Sequence, residues 1–331
     1  MALLLREAEV AELLTMDAAI EVAARALVAF SRGDVLQPVR QALSIDPHGG
    51  YLGLMPAHIR AGGGPEASEA LGAKAVTFYV RNAERRLPTH MAVVLLWDPA
   101  TGTLRAIMDG RLITEVRTAA VSAAATKALS RPEAGVLALL GSGVQARSHF
   151  DALRRVRSVR EVRVWSRTPA HREAFAREMS DRGVSVRPCA TAEEAVRGAD
   201  LIVTATSSPQ PVLEGRWLEP GVHINAVGAP RPDWRELDST AVARARVFVD
   251  SRAGALAESG DLLLPMQEGV ITRTHILGEI GEVLAGTIPG RTSPEEITLF
   301  KSLGMAVEDV ATAAYVYAQA LARGLGREVA L

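Results

Sequence analysis

Residues 136–146 read Val-Leu-Ala-Leu-Leu-Gly-Ser-Gly-Val-Gln-Ala, an apolar strand that runs straight into a Gly-x-Gly-x-x-Ala turn and opens a helix. Strand, turn and helix in that order are the parts of a dinucleotide site. Gly141 lets the chain leave the strand sharply, Gly143 lets the backbone approach a pyrophosphate, and Ala146 is small enough for helix and strand to pack closely. The helix start then turns its N–H groups toward the phosphate charge.

The end of the following strand, Val162-Arg163-Val164-Trp165, indicates which nucleotide. An NAD enzyme places an Asp or Glu there for the ribose hydroxyls, whereas this chain has Ser166-Arg167-Thr168. A carboxylate would repel a 2′-phosphate; a guanidinium fork flanked by two hydroxyls can grip one. The expected cofactor is therefore NADPH/NADP+, the alternative being that Arg167 is one more solvated arginine.

Two further cations stand out. Of the 37 basic residues only Lys74, Lys127 and Lys301 are lysines, so a position that keeps lysine is a candidate for a required ammonium. Lys74 lies in a β-rich run, Leu71 to Tyr79, whose alternation puts it on the face of Val76 and Phe78. A charge on an apolar face is costly unless paired, which points to a pocket, although a lysine snorkelling from a sheet edge would read the same. Arg117 sits near the start of a helix between Val116 and a run of alanines, where it calls for an anionic partner unless it is a rim arginine.

These residues need a scaffold, and the rest of the sequence supplies one. With 48% hydrophobic residues and a net charge of −1, the chain can bury sizeable cores and offers no field for nucleic acid or a membrane. The partner is a small molecule. Met1 to Leu5 is apolar but too short for a secretory core, and the single cysteine, Cys189, is read as a small buried filler. A cytoplasmic, metal-free protein is expected. Residues 1–118 open with an amphipathic helical pattern and continue with antiparallel-looking strands; residues 119–306 alternate strand and helix, the pattern of a doubly wound parallel sheet. A last helix from about Met305 to Arg323 returns to the first domain. The expected fold is thus α/β, a Rossmann domain at 119–306 plus an α+β domain built from 1–118 and 307–331.

Four separated segments then resemble a known family. Arg117-Thr118-Ala119-Ala120, Gly141-x-Gly-Val144-Gln145-Ala146, His223 to Ala229 with Pro232 to Asp238, and Phe300-Lys301-Ser302-Leu303-Gly304-Met305-Ala306-Val307-Glu308-Asp309 match, in order, the ornithine cyclodeaminase and mu-crystallin family. The resemblance covers essentially the whole chain and is closest on the mu-crystallin, ketimine reductase, side. It implies a homodimer whose second domain forms the dimer interface and the substrate floor. It also implies that Arg40, Lys74 and Arg117 hold a substrate carboxylate, with Arg117 and the Thr89-His90 pair near the cofactor. Gly141, Ser142, Gly143, Val144 and Gln145 would meet the pyrophosphate, and Ser166, Arg167 and Thr168 the adenosine phosphate. Thr206, Ser207 and Val227 fall at later strand ends, and Ser302 in the nicotinamide pocket.

One departure points to the reaction. Cyclodeaminases resemble one another in an Asp two residues before the proline of Gly-Gly-Asp-x-Pro-Gly and a Glu close before Leu-Met-Pro; here Pro230 and Gly53 stand in those places. Neither can accept a proton, so water activation has no evident base. The implied activity is NADPH-dependent reduction of cyclic imino acids such as Δ1-piperideine-2-carboxylate and Δ1-pyrroline-2-carboxylate to pipecolate and proline. His90 or a water would supply the proton. The alternatives are an alanine-type or N-alkyl amino-acid dehydrogenase, a cyclodeaminase in which Asp233 serves as the base, and a non-catalytic protein that stores NADPH with a hormone-like ligand.

Overall fold

The computed structural model describes residues 1–61 and 69–330. It divides into two compact units, Met1–Arg117 with Gly304–Leu331, and Thr118–Leu303.

The first unit starts with β1 (Ala2–Leu5), α1 (Glu7–Leu13) and α2 (Met16–Ser31). The strands β2 (Val35–Leu36), β3 (Gln41–Ile45), β4 (Gly50–Ile59), β5 (Ala70–Tyr79), β6 (His90–Trp97) and β7 (Leu104–Asp109) follow, then α3 (Gly110–Leu129). The division between the units falls within α3. The second unit continues with β8 (Val136–Leu140), α4 (Val144–Val156), β9 (Glu161–Trp165), α5 (Pro169–Ser180), β10 (Ser185–Pro188), α6 (Ala192–Val196), β11 (Leu201–Thr204) and β12 (His223–Ala226). It ends with α7 (Ser239–Arg244), β13 (Arg246–Val249), α8 (Arg252–Glu258), α9 (Gly260–Gln267), β14 (Ile276–Glu279), α10 (Ile280–Leu284) and β15 (Thr298–Lys301). The chain then returns to the first unit with α11 (Ala306–Arg323) and β16 (Arg327–Val329).

In the first unit the strands run β16-β1-β7-β6-β5-β4-β2, with β3 also paired to β4. The apolar opening of the chain is β1, which lies between β16 and β7, antiparallel to one and parallel to the other. Along β5 Gly72, Lys74 and Val76 are buried while Ala73, Ala75 and Thr77 are half-buried, the period of two that separates the faces of a sheet. Helix α11 covers β4, β5 and β6 and packs in turn on α2. It carries Glu308 and Asp309 in its first turn and stops at Gly324, whose φ of 66° is the left-handed conformation suited to a helix end.

The second unit holds a parallel sheet in the order β10-β9-β8-β11-β12-β15-β13-β14, with the reversal between β8 and β11 that defines a doubly wound nucleotide-binding sheet. β15, the last strand of this unit in sequence, inserts between β12 and β13. The register aligns Leu140 with Trp165 and Thr204, Thr204 with Ala226, and Ala226 with Lys301. Gly141, Ser166, Ala205, Val227 and Ser302 therefore form the next row, immediately past the carboxyl ends of five adjacent strands. Cys189 is fully buried.

Gly141 is the hinge of that row. Its φ is +123°, and a Cβ there would lie 2.4 Å from the carbonyl oxygen of Ala205. Gly141→Ala is expected to destabilise the fold by at least ~1–3 kcal/mol and to weaken nucleotide binding with it. Urea denaturation and fluorescence titration with NADPH check both; full stability and affinity would show that this turn does not need glycine.

Candidate active site

The first unit gathers its chemistry on the face that α11 covers. Lys74 stands in the middle of β5, flanked by β4 and β6, and its Nζ lies 2.6 Å from Asp309 Oδ2. Arg117, on the eighth residue of α3, donates from Nη1 to Glu308 Oε2 at 2.7 Å and from Nε to Asp309 Oδ1 at 2.9 Å. All four side chains are at most 5% exposed. Asp309 thus bridges the two cations, and Lys74 also reaches Thr114 Oγ1 at 3.5 Å. Close approach requires the glycine of the Ser-Leu-Gly-Met segment: a Cβ on Gly304 would sit 2.6 Å from Arg117 Nη1.

Burial and charge set the protonation states. Burial opposes ionisation of Asp309, but Arg117 and Lys74 outweigh it and hold the carboxyl below its ordinary range. Lys74 is pulled down to about 8, chiefly by burial; Asp309 opposes the shift and Arg117 adds to it. His90, the first residue of β6, is lowered to about 4 by burial and by the charges of Lys74 and Arg117. The imidazole is therefore neutral at neutral pH, so the unliganded site holds no imidazolium to donate the proton assigned to His90 from the sequence. The sheet-edge reading of Lys74 is excluded by its interior strand, and the anions that answer Arg117 are Glu308 and Asp309 of its own chain.

The other expected residues of this unit are distributed nearby. Arg40 is half-buried between β2 and β3, on the segment whose Gln37 Oε1 accepts from Val307 N at 2.8 Å and so ties it to the start of α11. Thr89 is half-buried, and its carbonyl accepts from Tyr79 N at 2.8 Å. Gly53 is buried opposite Val76, two pairs along from Met55 and Lys74, so a side chain there would stand on the same face as the cation. A Cβ on Gly53 would lie 3.1 Å from Val76 Cγ1, so the position is closely packed on that face.

In the second unit the strand-end row carries the remaining residues. Gly143 leads into α4, with open space where a Cβ would stand, and Val144 at the helix start is 48% exposed despite being apolar. Gln145 is half-buried, and its carbonyl accepts from His149 Nδ1 at 2.7 Å if that nitrogen carries the proton. Ser142 Oγ donates to Ser166 Oγ at 3.0 Å, joining the ends of β8 and β9. Arg167 and Thr168 are exposed at the start of α5, and Arg172 places Nη1 3.0 Å from the carbonyl of Ser166. Thr206 is half-buried, Ser207 exposed and Val227 half-buried at the ends of β11 and β12. Ser302 is 2% exposed, and its Oγ has no protein partner among the described residues. The open helix start and this unpartnered hydroxyl fit a dinucleotide laid along the row. Asp233 is exposed and paired with Arg231 at 3.0 Å.

The chain belongs to the ornithine cyclodeaminase/mu-crystallin family, whose profile matches residues 1–324. It is 48% identical over 295 residues to the ketimine reductase mu-crystallin of Mus musculus, covering 88% of each chain. It is 38% identical over 320 residues to a Δ1-pyrroline-2-carboxylate reductase of Bacillus cereus, covering 96% of each. Among solved structures, the Δ1-pyrroline-2-carboxylate reductase of Thermococcus litoralis in complex with NADH and L-proline superposes with a TM-score of 0.95 at 40% identity, over 99% of this chain and 100% of that one.

Glu308 and Asp309 are the residues that sequence reasoning missed. They stand in the segment that carried the family resemblance, and carboxylates in a helix's first turn are ordinarily read as helix-dipole partners. If Lys74 anchors a carboxylate, binding of pyrrole-2-carboxylate weakens as pH rises through about 8, where the unliganded ammonium loses its proton. The loss should approach about tenfold per pH unit, and Lys74→Arg should move it well above that range. Calorimetry from pH 7 to 9.5 checks this; a flat affinity would separate Lys74 from ligand binding.

Proposed function

We propose that this chain is an NADPH-dependent ketimine reductase that reduces the C=N bond of cyclic imino acids, Δ1-piperideine-2-carboxylate and Δ1-pyrroline-2-carboxylate among them, to pipecolate and proline. The observation that carries the reading is the buried pair of cations on a face where Gly53 replaces the cyclodeaminase glutamate. In this reading Arg40, Lys74 and Arg117 hold the carboxylate, and a fork plus a point charge fixes both its position and its direction.

The charge balance favours an imino acid as substrate. Lys74 and Arg117 already have anions of their own in Glu308 and Asp309, so a substrate carrying a net charge would be costly to bury beside them. A protonated cyclic imine with its carboxylate is a zwitterion and adds none. The iminium is also the better hydride acceptor, so the substrate itself brings in the proton that the neutral His90 lacks. Pro230 has no proton-accepting side chain and Asp233 is exposed and paired with Arg231, which supports reading this segment as lacking the aspartate that cyclodeaminases use on water.

A bound nicotinamide supplies the hydride. Gly141, Ser142, Gly143, Val144 and Gln145 seat the pyrophosphate, Thr206, Ser207, Val227 and Ser302 the nicotinamide half, and Thr89, His90 and Arg117 complete the contacts. Preference for NADPH rests on Ser166, Arg167 and Thr168 at the end of β9, where no carboxylate stands to meet a ribose hydroxyl. A homodimer is supported by the outer face of the first unit's sheet, where Leu43, Leu54 and Met91 are 62%, 49% and 42% exposed beside Leu52 and Val93. The single, buried, free Cys189 suits a cytoplasmic location; among the described residues no helix is long and apolar enough to cross a membrane.

Two outcomes follow. Both cyclic imines should be reduced with NADPH, whereas ornithine with NAD+ should release no ammonia, since the missing base is worth about 10²–10⁴-fold. Ammonia release at a rate rivalling imine reduction would overturn the assignment, and alanine oxidation outpacing it would favour a dehydrogenase. Arg167→Asp should shift the NADPH-to-NADH preference by about 2–4 kcal/mol, on the order of 30- to 1000-fold. Wild-type protein that uses NADH as readily as NADPH would refute the phosphate site.

A further inference from the structure

Lys301, the third lysine of the chain, has no role in the reaction described above, yet it is completely buried at the end of β15. Its Nζ donates to Asp261 Oδ2 at 2.8 Å and to the carbonyl of Gly228. Asp261 Oδ1 accepts from the backbone N–H groups of Glu236 at 2.7 Å and Leu237 at 3.0 Å. The Glu236 carboxylate then accepts from Thr206 N at 2.6 Å through one oxygen and from Gly228 N at 2.8 Å through the other. The circuit closes on itself: Glu236 holds the N–H of Gly228 and Lys301 holds its C=O. All three charged side chains are 0% exposed.

This arrangement is expensive for a merely structural joint. One ammonium pairs with Asp261 while the Glu236 carboxylate, equally buried, is met by backbone N–H groups, and removing charges from water costs several kcal/mol per ion before pairing. The backbone is constrained as well. A Cβ on Gly228 would lie 2.4 Å from the Glu236 carboxylate, and the next residue, Ala229, is fully buried in the left-handed region at φ 54°. Such strain persists where surrounding structure over-determines it, and it clusters at ligand sites. The gripped residues sit where a ligand would be read: Thr206 follows β11, Gly228 follows β12, and Lys301 precedes Ser302, all at the carboxyl edge of the sheet's second half. In a doubly wound sheet that half receives the second mononucleotide.

We propose that Glu236, Asp261 and Lys301 form a positioning circuit that fixes the ends of β11, β12 and β15 for the nicotinamide half of the cofactor. The inference rests on the reading of the second unit as an NADPH site. Glu236 acts by clamping two strand ends with one carboxylate fork, while Asp261 holds the backbone of Glu236 and Lys301 holds the carbonyl of Gly228, the residue whose N–H the fork grips. The adenine half, at the ends of β8 and β9, lies outside the circuit.

Equilibrium binding of NADPH and of its adenine-half fragment 2′,5′-ADP tests this on the intact protein, with Glu236→Gln and Asp261→Asn compared with wild type. Glutamine keeps the volume of Glu236 but presents a donor to one of two N–H groups, and asparagine keeps the Oδ1 acceptor while losing the ion pair. The expected result is NADPH affinity reduced tenfold or more in Glu236→Gln and severalfold in Asp261→Asn, with 2′,5′-ADP affinity within twofold of wild type. Equal losses for both ligands, or none for either in a folded variant, would overturn the proposal and leave the circuit as core structure. If Glu236→Gln does not fold, Asp261→Asn decides by the same ratio. Failure of wild-type protein to bind either ligand would instead refute the cofactor site itself.

Discussion

The structure of the first unit is governed by the cost of burying Lys74 and Arg117. Each cation would lose several kcal/mol of hydration if left alone, and both are instead answered by the first turn of α11. That one requirement explains why a helix more than 170 residues downstream of α3 returns to cover β4, β5 and β6, and why Gln37 and Gly304 fit closely around its start. The two carboxylates hold the cations in fixed directions before any ligand arrives. Pre-organised charge of this kind favours recognition because little needs to be reordered on binding.

The second unit solves a different problem with similar means. Its parallel sheet ends in a row of backbone groups and small side chains, and these are useful only if adjacent strand ends keep their relative heights. Ser142 and Ser166 link one pair of ends by a hydroxyl contact, and the carboxylate of Glu236 links another. Charged side chains in this unit therefore shape the backbone, whereas in the first unit they shape one another.

Much of this was legible in the sequence because the signals were local. The glycine turn, the Ser166-Arg167-Thr168 step and the alternation around Lys74 each occupy fewer than a dozen residues, and the structure has a strand, turn and helix where the first predicted them. The scarcity of lysine drew attention to Lys74, Lys127 and Lys301; the first and last prove to be buried and paired, whereas Lys127 is exposed. What stayed hidden was non-local. Nothing near Glu308 signals a partner 191 residues away in Arg117. β15 is four residues long and ends in a lysine, and β1 read only as an apolar opening; both became strands because neighbouring strands on each side pair with them. The neutral state of His90 likewise depends on burial and on charges from other elements, which no local pattern encodes.

The central claim is that the buried cations select the carboxylate of an imino acid. Its most direct test compares Δ1-pyrroline-2-carboxylate with 1-pyrroline, the same ring without the carboxylate, as substrates of the wild-type protein at saturating NADPH. Loss of a bidentate, charge-assisted anchor should lower kcat/KM by about 10²-fold or more. Comparable kcat/KM for the two rings would mean that Lys74 and Arg117 serve only to hold α11 in place, and the account would fail at its root.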